Sequence, residues 1–123
     1  MSLIARDDLV GLVNLGYELV SSGQVAAGRK IFSNLVEVYP DNQTIMVGLA
    51  FSHIVVDEFA KGEAILAPFL AQDDVFDETL AIAVLSKFLQ KDLDGAKALA
   101  SQIKDLESPA AVLAKNILET AAQ

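Results

Sequence analysis

His53 is the only imidazole in this 123-residue chain, and Asp73, Asp74, Asp77 and Glu78 are its densest group of carboxylates. An imidazole does acid–base work when a carboxylate orients it and a reacting group lies within hydrogen-bond reach. His53 instead sits in the most apolar stretch, Ile45 to Val56, with no carboxylate assigned to it by spacing. It is expected to be a packed side chain. The four carboxylates could hold a cation, but they lack the glycine and the spacing of a calcium loop. They are expected to mark a helix start, where the dipole favours negative charge, and Asp57-Glu58 reads the same way. Gly11, Gly16 and Gly23 fall at helix and cap positions and not after a strand, so no phosphate-binding loop is expected. No Ser–His–Asp grouping is visible, and without cysteine neither a disulfide nor a thiolate metal site can form. These residues predict a non-enzyme with no catalytic residues, no cofactor and no metal.

Composition narrows the class further. Apolar residues make up 53% of the chain and the formal net charge is −8. The length predicts one domain, 1–123, with a real core, and the charge keeps so apolar a chain in solution. Nucleic acid is an unsuitable partner, because a phosphate backbone needs clustered Lys and Arg. Here Arg29, Lys30, Lys87 and Lys91 are scattered and read as solvated helix faces. The first residues lack a basic head followed by an apolar run, so no secretory signal is expected. The Ile45–Val56 stretch is too short to span a bilayer, which takes about 20 residues. A cytoplasmic and, from its compactness, bacterial protein is the expectation.

Strong helix formers dominate and no alternating pattern persists, so the elements are helices. Ser22-Gly23 ends a first helix that starts near Asp7 or Asp8, and a second runs over about 25–38 to Tyr39-Pro40-Asp41-Asn42. Further helices are expected over about 43–56, 59–71 (containing Pro68), from near 75–77 to 90, and over 93–106. Ser108-Pro109 starts a last helix to about 121. Three stretches align at 34 residues: Gly28, Gly62 and Ala96 form one column, and Gly16, Ala50 and Val84 another. Val25, Phe59 and Leu93 form a third, Ile31, Ile65 and Leu99 a fourth, and Leu35, Phe69 and Ile103 a fifth. Such a period marks stacked hairpins that share one core.

The first unit, Leu12-x2-Leu15-Gly16-x2-Leu19 with Gly28-x3-Phe32 and Pro40, resembles the tetratricopeptide repeat (TPR) signature. Leu stands at its aromatic positions and Gly28 at its first alanine. The resemblance implies an all-α, α–α superhelix of three TPR-like hairpins, about 9–42, 43–76 and 77–110, plus a capping helix at about 109–121. It further implies that the first helix of each hairpin lines a concave, partner-binding groove. That face carries Val10, Val13, Tyr17 and Val20, then Val47, Phe51, Ile54 and Val55, then Ala81, Leu85, Phe88 and Leu89.

This face is apolar where family members that grip heat-shock protein tails carry Lys, Arg and Asn. It suits an amphipathic or apolar helix of a protein or peptide partner. A small acidic TPR protein of this kind resembles the cytoplasmic chaperones of bacterial type III secretion, which implies shielding of a secreted subunit. The alternative is a scaffolding module that self-associates, as a homodimer, or docks in a larger complex. A further alternative is that the chain's own last helix closes the face.

Overall fold

Turn and cap residues act where the sequence puts them. The computed structural model describes residues 6–121. Its helices are α1 (Arg6–Ser21), α2 (Val25–Val38), α3 (Gln43–Ile54), α4 (Phe59–Leu70), α5 (Asp77–Leu89), α6 (Leu93–Ala100) and α7 (Pro109–Ala121). No strand occurs among the described residues, and the fold is all-α and TPR-like. The second helices α2, α4 and α6 begin at 25, 59 and 93, and the first helices α3 and α5 at 43 and 77, so both series step by 34. Side-chain oxygens close several starts. Asn42 accepts from the Ile45 amide at 3.1 Å, Asp92 from Gly95 at 2.9 Å and Ser108 from Ala111 at 3.1 Å.

The turn inside each hairpin repeats one backbone device. Gly23, Asp57 and Lys91, again 34 apart, all have positive φ, at 94°, 65° and 65°. After α1 the Gln24 amide reaches back to the Leu19 carbonyl, and Gly23 to that of Val20. Glu58 to His53 and Asp57 to Ile54 repeat the pair after α3, and Asp92 to Lys87 and Lys91 to Phe88 after α5. These paired bonds satisfy carbonyls that a helix end leaves open, and they require a left-handed residue. Glycine takes that conformation freely, whereas Asp57 and Lys91 carry a Cβ into it.

Contacts divide the chain into two compact units, Met1–Ile65 and Leu66–Gln123. In the first, α2 lies so close to α1 that a Cβ on Gly28 would stand 2.6 Å from Val20 Cγ2 and 2.8 Å from the Gly16 carbonyl oxygen. Gly62 repeats this contact, 34 residues on, at 2.5 Å from Ile54 Cγ1 and 3.1 Å from the Ala50 oxygen. Phe32, fully buried, fills the space left by two more glycines: a Cβ on Gly16 would stand 2.7 Å from its ring, and one on Gly48 would enter it. Val20, Leu35 and Ile45 complete this core.

In the second unit α6 and α7 pack on α5, and Leu80, Val84, Ala96, Ile103, Ala114 and Ile117 form the core. Residues 79–84 and Ser86 are all buried, so the middle of α5 is enclosed on every side. The sixth helix is shorter than its composition predicts, ending at Ala100 and not near Leu106. Both carboxylate oxygens of Asp77 capture backbone amides beyond it, Lys104 and Asp105, each at 3.1 Å. Ile103 meanwhile turns into the core. These contacts outweigh continued helix.

Two substitutions at glycine have opposite expected signs. Gly28→Ala forces a methyl against backbone as well as side chain, and should lower stability by about 1–3 kcal/mol in urea unfolding. Gly11→Ala, with nothing within 4 Å of the added Cβ, should raise it by about 0.5–1 kcal/mol. At the third turn, Lys91→Gly relieves a left-handed cost of about 1–2 kcal/mol but adds unfolded-chain entropy. A net gain of roughly 0.5–1 kcal/mol is expected from the same measurement.

Candidate functional site

The face predicted to bind a partner separates into core and surface. Val20, Val47, Ile54 and Ala81 are 0–3% exposed and belong to the interior. For Val20 and Ile54 the cause is direct, since Gly28 and Gly62 draw the second helices onto them. The other eight keep some surface. In the first unit Val13, Tyr17, Phe51 and Val55 press one side onto the core and leave the other partly open, and Val10 is 52% exposed. Tyr17 organises this patch. Its ring meets Phe32 edge-on at 5.0 Å and stacks with Phe51 at 6.0 Å, and its hydroxyl donates to the Thr44 carbonyl at 2.7 Å. A tyrosine so held is a rigid apolar platform with its polar end already satisfied. In the second unit Leu85 and Phe88 are half-buried against the core and Leu89 is 39% exposed.

The second unit also holds an open apolar cleft of about 390 Å³ between the 101–108 segment and α7. Ala100, Ile103, Leu106, Ala111, Ala114 and Leu118 line it, with Lys115 and Glu119 at its border. Leu106 is 79% exposed, the highest value among the large exposed hydrophobic side chains. Sequence reasoning missed this cleft because it expected helix through Leu106.

The groups that could have done chemistry are tied into structure. His53 does have a carboxylate partner: its Nδ1 lies 3.0 Å from Glu58 Oε1 across the α3–α4 turn. The same oxygen accepts from Arg29 Nη2 at 2.9 Å, and that nitrogen also donates to the Ser52 carbonyl at 2.7 Å. Arg29 Nε reaches Ser52 Oγ at 3.1 Å, while that hydroxyl donates to the Leu49 carbonyl at 2.6 Å. Arg29 is therefore no solvated helix-face residue. It ties α2 to the end of α3, and Ser52 is too committed and too buried to act as a nucleophile. The His53 contact, and next to it the charges of Lys61 and Arg29, hold the Glu58 carboxyl below the usual carboxylate range. This grouping could not be read from sequence, because the left-handed turn at Asp57 decides where Glu58 points.

Two of the four clustered carboxylates are likewise engaged. Asp77 binds the two backbone amides already described, and Asp74 pairs with Lys104, which lowers the carboxyl's pKa and raises that of the ammonium. Among the described residues no three His, Cys, Asp or Glu side chains converge as metal ligands.

Because folding lowers the Glu58 pKa, its contribution is fully present above the ordinary carboxylate range and is lost as pH falls through the folded value. Comparing urea midpoints of the parent chain and Glu58→Gln from pH 7 to pH 3 should show the largest gap near neutrality and convergence in acid. A gap that does not shrink would mean that the carboxylate's charge plays no part.

A protein-family model, that of the coatomer epsilon subunit, matches residues 13–123. No curated protein and no solved structure matches the chain. The match overturns the resemblance to a type III secretion chaperone, and with it the bacterial setting, since coatomer epsilon is a eukaryotic TPR-like protein. The 34-residue pattern records how hairpins stack, and stacking is the same whatever the stack carries. Among the described residues no helix is long and apolar enough to cross a membrane. With all but its first twelve residues matched, the chain belongs to the coatomer epsilon subunit family.

Proposed function

We propose that this chain is a non-catalytic assembly subunit of a coatomer-type vesicle coat, working in the cytoplasm and holding a protein partner on apolar side chains of its first helices. The family match over residues 13–123 carries this reading. It favours a scaffold docked in a larger complex. The partly exposed patches supply the contacts: Val10, Val13, Tyr17, Phe51 and Val55 in one unit, Leu85, Phe88 and Leu89 in the other. Large apolar or aromatic groups fixed by packing and left part-open are the kind of anchor that dominates interfaces. In this reading repeats 9–42, 43–76 and 77–110 and the last helix, 109–121, act as one module. The chain's −8 charge opposes a homodimer through the same patches.

Sedimentation of the tagged chain from eukaryotic cells tests this. It should travel with a multi-subunit coat complex. Val10→Asp and Leu89→Asp alter side chains that are already well exposed, so helix content and Tm should be kept. Each should reduce co-sedimentation about tenfold, as loss of an anchor worth roughly 1.4 kcal/mol does. A chain that runs alone as a small species, or variants that co-sediment like the parent, would sink the assignment.

A further inference from the structure

Helix α6 is the short member of its series. α4 ends at Leu70, which one 34-residue step on is position 104, and α2 ends at Val38, which two steps on is position 106; α6 stops at Ala100. Its sequence supports a longer helix, because Leu99, Ile103 and Leu106 are spaced four and three apart and so share one helix face. The chain leaves the helix by degrees. Gln102 and Ile103 donate to the Leu99 and Ala100 carbonyls at 3.1 and 3.2 Å, three residues back instead of four. At Lys104 and Asp105 the amides turn from the chain's own carbonyls to the two oxygens of Asp77.

The preceding repeat makes the other choice. Position 71 corresponds to Asp105, and there the Ala71 amide keeps its helical bond to the Ala67 carbonyl at 3.1 Å. The residue that opens the first helix differs: Gln43 in that repeat, Asp77 in the next. An ionised carboxylate offers two acceptor oxygens at once and bonds amides more strongly than a neutral carbonyl does. In a continued α6 the Lys104 and Asp105 amides would bond the Ala100 and Ser101 carbonyls. One acceptor replaces another, so neither amide is left unpaired in either state. Apolar surface is traded against these bonds. The latched chain leaves Leu106 79% exposed at the open cleft, whereas a continued helix turns it to the side where Leu99 and Ile103 meet the core. Charge-assisted bonds favour the first state and apolar burial the second. The pair of Asp74 with Lys104 is a second tether on the same segment.

We propose that residues 101–106 are a two-state strap. Asp77 latches it in the open form; when Asp77 releases the two amides, α6 extends by about one turn and Leu106 folds in beside Ile103, narrowing the cleft. The device lies wholly in the second unit and does not depend on a partner at the first-helix patches.

Nuclear magnetic resonance on the intact chain tests it. Asp77→Asn keeps the size of the side chain but removes its charge and one acceptor oxygen. In that variant the Cα shifts of residues 101–105 should move toward helix values, and the Leu106 amide should exchange at least about tenfold more slowly. Glu78→Gln removes a charge from the same first turn without touching the latch, and should leave both readings unchanged. Adding Gln102→Gly, a poor helix former at an exposed position, to Asp77→Asn should reverse the change. Ser101→Ala favours helix with Asp77 in place and should move the 101–105 shifts in the same direction, which keeps the proposal testable if Asp77→Asn fails to fold. Coil-like shifts with fast Leu106 exchange in Asp77→Asn would mean that the segment merely unravels, and would overturn the proposal. So would an equal response to Glu78→Gln, a gain that survives Gln102→Gly, or Ser101→Ala shifts that stay where the parent's are.

Discussion

Everything in the first unit depends on how closely two helices of a hairpin approach, and that distance is set by missing side-chain atoms. Gly28 over the Gly16 carbonyl and Gly62 over the Ala50 carbonyl leave no room for a methyl group. The same economy of volume makes the slot for Phe32, whose ring occupies space that Gly16 and Gly48 do not use. Close approach has two results. It removes apolar surface from water at about 25 cal/mol per Å², and it brings backbone against backbone where dispersion contacts are dense. Glycine within a helix costs stability by itself, so these positions are tolerable only because the packing they permit outweighs that cost.

The register of each crossing is then held by polar groups at the hairpin ends. A left-handed residue turns the chain after α1, α3 and α5, and paired backbone bonds fix the turn. Between α2 and α3 the lock is Arg29, which binds the Ser52 carbonyl at the end of α3 and the Glu58 carboxylate beyond the turn. A cation beside the open carbonyls of a helix C-terminus is favourable, and a carboxylate next to it balances the charge. In the second unit Asp77 holds two amides of the segment after α6. That anchor shortens α6 and leaves Leu106 in solvent, so an intramolecular hydrogen-bond choice creates the open cleft. Candidate chemistry and candidate binding surface are thus linked. The charged residues that resemble a site are occupied in shaping the chain, and what they shape is apolar.

Much of this architecture was legible in one dimension. Spacing by 34 gave the starts of the second helices, and Ser108-Pro109 the start of the last helix, because caps, Pro and Gly act locally and hairpins of equal length must repeat. The columns of small residues were visible for the same reason. The turn column of Gly23, Asp57 and Lys91 was not, since only its first member is the residue type that the conformation favours. Nor could residue type divide the first-helix face. Val20 and Val10 are chemically alike, yet one lies under Gly28 and the other is half in water.

The sequence by itself determined the helical class, the hairpin period and the apolar, acidic character of the chain, because those follow from local propensity and composition. Only the tertiary structure decided which apolar side chains remain on the surface, where Glu58 meets His53 and Arg29, and that α6 stops short of Leu106. Each of these turns on contacts between residues some 5 to 30 positions apart, and no local preference encodes their outcome.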